Sequence, residues 1–267
     1  MIPGTSTWEG TLKRTNGNLG TVTTRTNAQI VTYGVSDRLT VLGTLPFVWT
    51  SPSQGVLQPQ QGVQDLSVGA KYSVLERTSS ALGAFRAIVG VQAAFPLTDY
   101  TPDFAPLSIG TQSRRVAARL TLNYRSNPGW YLNASSAYTS RADVTLDRPY
   151  FFTENQLFLS DTVPMPNVVD GVVSAGYLGH GLNANIWYAQ QITQGGGDIR
   201  RQDMPFISNR VNASSVGVMA MYPIPKFDRL AFQVGVGRVV SGRNVGQSTT
   251  VITALLYALS DRGRLVR

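Results

Sequence analysis

Residues 30–49 read IVTYGVSDRLTVLGTLPFVW, two alternating runs on either side of a polar turn, Ser36-Asp37-Arg38. In the second run Leu39, Val41, Gly43, Leu45, Phe47 and Trp49 share one face. Thr40, Leu42, Thr44, Pro46 and Val48 share the other. Successive side chains of a strand point to opposite sides of a sheet, so the stretch predicts a β-hairpin with one continuous apolar face. That face ends in Phe47 and Trp49, aromatics of the kind found where a strand leaves hydrocarbon for lipid headgroups.

The rhythm continues along the chain. Twelve strand-like segments are predicted at about 5–16, 21–35, 39–50, 64–75, 84–97, 113–125, 130–144, 168–180, 184–199, 208–225, 230–241 and 247–259. Val116, Ala118, Leu120, Leu122 and Tyr124 oppose Arg115, Arg119, Thr121 and Asn123; Phe85 through Phe95 alternate with Arg86, Gly90 and Gln92 in the same way. The connections at one end are mostly tight and polar (36–38, 76–83, 126–129, 181–183, 226–229), and those at the other are long (51–63, 98–112, 145–167, 200–207). An even number of strands with short turns at one rim and long loops at the other is the pattern of an outer-membrane barrel. It predicts an all-β chain, a transmembrane antiparallel up-and-down β-barrel of about 12 strands over 5–259, with a tail at 260–267. Residues 1–267 form a single domain on this reading, with both termini on the short-turn, periplasmic side. Segments 208–225 and 230–241 keep phase less well, and Arg238 falls on the lipid face unless a bulge shifts it.

Composition narrows the alternatives. Hydrophobic residues make up 42% of the 267 and charged residues only 14%, too few charges for the solvated exterior of a soluble β-sandwich or lipocalin-like barrel. No run of about 18 apolar residues is present to make a spanning helix. Cysteine is absent and His180 is the single histidine, which removes Cys- or His-built zinc sites and cysteine catalysis. No cofactor is expected. Met1-Ile2-Pro3-Gly4 lacks the features of an export signal, so the numbering is expected to start at a mature chain. The net charge of +8 is spread singly along strands and turns rather than gathered in a run, which argues against nucleic acid as a partner.

The segments YGVSDRLTVLGTLPFV, GVQDLSVGAKYSVL and GVQAAFPL resemble the family named for the meta pathway of phenol degradation. The resemblance rests on Tyr33-Gly34, Asp37-Arg38-Leu39, Pro46-Phe47, Asp65-Leu66 and Gly69-Ala70-Lys71-Tyr72, and beyond about residue 100 mainly on strand rhythm. It implies an outer-membrane barrel, in contact with lipid and lipopolysaccharide, with a transport role for small, often hydrophobic or aromatic compounds. It supplies no catalytic residues. The sequence departs from the pattern at its end, where SDRGRLVR follows Tyr257-Ala258-Leu259.

Two constellations bear on function. By parity Lys13, Arg25, Lys71, Arg86, Arg115, Arg119 and Arg141 point into the lumen, with Glu9, Asp65 and Asp170 as inward acids. An excess of inward bases draws anions or carboxylated solutes. The plainer reading is an ion-pair network that fills a narrow lumen, helped by loop acids such as Asp99, Asp103, Glu154 and Asp161. The second constellation is the 145–167 connection, where Tyr150, Phe151, Phe152 and Phe158 form either a gate over the mouth or packing between loops. His180 lies between Gly179 and Gly181 with no nucleophile motif, so the chain is not expected to be an enzyme. Gly195-Gly196-Gly197 lacks the Lys-Ser/Thr of a phosphate loop and reads as a strand end. A channel for small solutes is the expected function. A non-conducting barrel that anchors a partner complex is the alternative.

Overall fold

The computed structural model describes residues 6–15, 20–81, 83–179, 181–199, 204–225, 227 and 229–259. Eleven long strands follow one another in a curled antiparallel sheet, each paired with its neighbour along the chain. They are β1 (Val22–Gly34), β2 (Leu39–Pro52), β3 (Asp65–Ser79), β4 (Gly83–Pro96), β5 (Arg115–Arg125), β6 (Trp130–Arg141), β7 (Asn167–Gly179), β8 (Leu182–Gln194), β9 (Asn212–Pro223), β10 (Leu230–Arg243) and β11 (Thr249–Tyr257). A short piece, Gln60–Val63, pairs with Phe47–Thr50 of β2 and runs into β3 across Gln64. The fold is that of an up-and-down barrel wall, and the eleven strands match eleven of the twelve segments read from the sequence.

The wall is organised by its two faces. In β5, β6 and β8 exposed residues largely alternate with partly buried ones, and the exposed set is mostly apolar (Val116, Leu120, Leu122, Leu132, Ile186), with Ser136, Ser140 and Gln190 among it. Aromatics mark both edges of this band. Tyr33, Tyr72, Tyr124, Trp130, Tyr222, Phe232 and Tyr257 lie toward the short turns, and Trp49, Phe95 and Tyr138 toward the long connections. Trp49 follows Leu39, the register partner of Tyr72, by ten residues. At ~3.3 Å per residue and a tilt of about 40°, that spans roughly 25 Å along the membrane normal, the height of a barrel's lipid-facing band.

The twelfth expected segment, 5–16, does not cross the wall. Ser6–Glu9 and Leu12–Thr15 form a separate small hairpin that turns at Gly10 (φ 55°), a left-handed conformation that glycine adopts without strain. Trp8 is buried within it, Lys13 lies 5.1 Å from the Trp8 ring centre, and Glu9 binds Arg14 at 2.6 Å. The hairpin docks on the turn between β10 and β11, where the Trp8 N–H donates to the Val245 carbonyl at 2.9 Å and the Gln247 N–H to Ser6 at 2.8 Å. It therefore sits at the long-connection rim, whereas β11 ends at the short-turn rim. The expectation that both ends share one rim needed a strand here, and the described part of the N-terminal segment is at the other rim.

Alternating eleven strands leaves β1 and β11 running in the same direction, and among the described residues no ladder joins them. Antiparallel closure calls for a further strand between them, because an open backbone edge in hydrocarbon costs several kcal/mol per unpaired group. β1 is exposed along its whole length.

Two bulges shift the ladder, one between Ser73 and Leu75 and one between Ser214 and Ser215. The second lies on the strand next to Arg238 and does not turn it inward; Arg238 stands on the outer face, opposite Val216 and Thr249. His180 and the tail at 260–267 lie outside the described residues.

Candidate functional site

The inner face of β3 to β7 gathers most of the charged side chains expected there. Arg115 binds Asp65 at 2.6 Å, and the Asp65 side chain is fully buried. Arg119 binds Asp170 at 2.8 Å and donates to the Ser135 hydroxyl at 3.1 Å. Asn123 and Asn133 join hands one turn of the ladder further on. Arg86 pairs with Glu76. Lys71 stands opposite Thr40 and Gly90 on this face, and Arg141 stands opposite Arg115. Arg125 shares the face at the short-turn end, opposite Tyr131. Among the described residues Lys71, Arg125 and Arg141 make no ion pair, so bases exceed acids along this wall.

Two of the expected lumen bases are elsewhere. Lys13 belongs to the rim hairpin, over Trp8. Arg25 is the register partner of Trp49 and shares its outward face. The phase of β1 is carried by Val31 and Tyr33, partners of Gly43 and Val41 on the lipid side, and Arg25, Asn27 and Gln29 follow at two-residue steps. Of the acids, Glu9 also stays in the rim hairpin.

Glu76 was not legible from parity. Counting by twos from Asp65 puts residue 75 inside and 76 outside. The bulge at Ser73/Leu75 inserts one residue, so Glu76 comes to face Arg86 on the inner side. The bulge also leaves the Ser73 hydroxyl buried without a hydrogen bond.

The connection that reaches the inner wall is 97–114, not 145–167. Thr50, an inward residue of β2, donates its hydroxyl to the Leu107 carbonyl at 2.6 Å, and Gln64 donates its side-chain amide to Ile109 at 2.6 Å. Leu107 is fully buried and Ile109 nearly so. Tyr100 donates its hydroxyl to Asp65 at 2.5 Å and accepts from the Gln112 N–H at 2.9 Å. Burial, then the hydrogen bond to the Asp65 carboxylate, raises the Tyr100 phenol above its ordinary range, so it stays a donor at all physiological pH. The segment thus folds back from the β4–β5 connection over the end of β3 to β2.

The 145–167 connection builds its own small core. Phe151 is buried with Val144, Leu146, Val163 and Met165, and Phe206 and Ile207 of the next long connection pack on it. Phe151 stacks on Phe158 at 5.0 Å and on Phe206 at 5.5 Å. Tyr150 and Phe152 are exposed, and Glu154-Asn155, both at positive φ, turn the Phe151–Thr153/Gln156–Phe158 ribbon. Contacts between connections account for Phe151 and Phe158, while Leu157 and Leu159 are exposed like Tyr150 and Phe152. Gly195–Gly197 follows the end of β8 directly, as a strand end does.

Trp187 also occupies the inner face, laid flat over Gly217 and Gly237, where any larger side chain would collide with its ring. Tyr131 covers Gly176 similarly and bonds Asn183 and Asn185 at 2.7 and 3.0 Å. Two depressions of the surface, lined by residues such as Trp130, Ile186 and Val218 or Val41, Val91 and Val116, lie mainly on the outer apolar face. They belong with lipid rather than with a solute path.

Such a wall, apolar outside and charged inside, defines a transmembrane β-barrel. Over residues 5–255 the chain matches the family described as "Putative MetA-pathway of phenol degradation", and it belongs to that family. Among solved structures it is similar to the COG4313 outer membrane channel from Pseudomonas putida F1, with a TM-score of 0.70 at 18% identity over 95% of this chain and 90% of that one. A complex of Salmonella typhi OmpF with daunomycin aligns over 95% of each chain at 13% identity, but its TM-score of 0.32 carries no weight. A search of curated protein sequences finds no match.

Proposed function

We propose that the protein is a passive channel of a bacterial outer membrane that admits small solutes, with lipid and lipopolysaccharide around it and no catalytic step. The observation that carries this reading is the inner wall itself. A continuous polar and charged surface at membrane depth is expensive unless it lines water, solute or its own ion pairs. The COG4313 likeness supports the channel class, and family membership supports small aromatic or hydrophobic compounds as cargo. The surplus of inward bases supports anionic ones, since a low-dielectric wall focuses its field on the path. A carboxylated aromatic compound satisfies both.

Liposome swelling tests the reading: vesicles holding the refolded protein should swell with small carboxylates faster than with sugars of similar size. Swelling equal to empty vesicles would remove the channel. The inward fold of 97–114 favours a second reading, a barrel closed at the mouth that serves as anchor or scaffold. On that reading vesicles holding the full chain stay as impermeable as empty ones, and shortening the connection makes them swell.

A further inference from the structure

Arg115 and Arg141 are register partners on the inner face, at the ends of β5 and β6 nearest the long connections. Directly opposed residues bring their Cβ atoms to about 5 Å, and like charges so placed repel. Only one of the two is neutralised. Asp65 gives one oxygen to Arg115 and the other to the Tyr100 hydroxyl, is fully buried, and makes no ion pair with Arg141. Two further acids, one of the inner wall and one of a long connection, are engaged as well. Asp170 holds Arg119 and Asp103 holds Arg148. Asp143, two residues along the chain, is exposed beyond the strand end, and among the described residues it makes no ion pair with Arg141. The Arg141 backbone is nevertheless fixed, its N–H donating to Asn167 at 3.0 Å, and the side chain is half-buried.

A partly desolvated guanidinium on a fixed backbone, beside a second one, is a costly arrangement unless an anion completes it. A guanidinium presents paired N–H donors that match the two oxygens of a carboxylate. We infer that Arg141, backed by Arg115, forms a carboxylate-binding subsite at the foot of the 97–114 connection, where a solute that has passed the mouth first meets the wall. The inference rests on the channel reading for its role in transport, but binding itself does not require conduction. The subsite takes a monocarboxylate head. The apolar remainder of the ligand projects into the lumen.

Calorimetric titration of benzoate into the refolded full chain in detergent tests it. The expected result is saturable binding that weakens at least about tenfold in Arg141→Gln, since a hydrogen bond to a charged group accounts for that much affinity. Arg141→Lys should recover part of the loss, because it keeps the charge without the paired donors. Arg25→Gln, on the outer face, should bind as the parent does, which controls for benzoate entering micelles. Equal binding by parent and Arg141→Gln, both folded by heat-modifiable gel mobility, overturns the subsite even if the protein conducts. Benzoate binding that depends on Arg141 in a protein that passes no solute overturns the channel and leaves the subsite standing.

Discussion

Tyr100 donates its hydroxyl to Asp65 at 2.5 Å, and through this bond a long connection is tied to the same carboxylate that holds Arg115. Removing the hydroxyl frees one anchor of 97–114 while keeping the ring. Tyr100→Phe should raise single-channel conductance or its flicker, read in planar bilayers, and leave the folded fraction unchanged. Asp65→Asn is more severe, because it strips the charge partner from Arg115 at a buried position. We expect on the order of 2 kcal/mol of lost stability in urea titrations in detergent.

Deleting residues 150–162 should leave conductance close to that of the parent, since Phe151 and Phe158 pack together, Phe151 against Phe206, and no contact of this connection with the inner wall is among those described. Deleting 102–108 should enlarge the conducting step, because Leu107 rests on Thr50 of the inner wall. The opposite ranking in planar bilayers would show that 145–167 is the gate.

Trp187 lies where Gly217 and Gly237 have no side chain. Gly217→Val should force the indole off the wall and destabilise the barrel by about 1–3 kcal/mol, as overpacked interiors do. Its fluorescence should shift as the ring meets water. Trp187→Ala should fold and widen the path, seen as a larger conductance step.

Asp198 ties the rim hairpin to the wall. It binds Arg243 at 2.6 Å and accepts from Asn244, whose own side-chain oxygen accepts from the Gly10 N–H. The Arg243 hydrogen bonds, ahead of a smaller opposing effect of burial, lower its pKa to about 2. A depressed carboxylate stabilises the docked form above its unfolded pKa near 4, and the contribution fades as pH falls from about 4 through about 2. Trp8 fluorescence should be constant from neutral pH to about 5 and report release of the hairpin below that. Asp198→Asn should release it at neutral pH.

The strand order, the lipid face and most of the inward bases were legible because alternation has a period of two and one face meets hydrocarbon. Leu39 to Trp49 shows this most plainly, each residue lying on the face its position in the run assigns. What was hidden depends on events that alternation does not encode. Glu76 changes side through a bulge, and Arg25 follows Val31 and Tyr33 outward although its half of β1 is polar on both faces. Residues 6–15 alternate like a strand, yet Gly10 turns them back and Trp8 finds burial in a hairpin. The inward course of 97–114 rests on single hydrogen bonds from Thr50, Gln64 and Asp65, and composition drew attention instead to the greasier 145–167.

A solute path whose inner wall carries surplus positive charge should prefer anions. The most direct test is the reversal potential of the single channel under a potassium chloride gradient across a planar bilayer. Discrete steps are expected, with a reversal potential of the sign set by chloride that moves toward zero in a Lys71→Gln, Arg141→Gln double variant. A cation-selective reversal potential, or a bilayer that stays silent with protein shown to be folded, would contradict it.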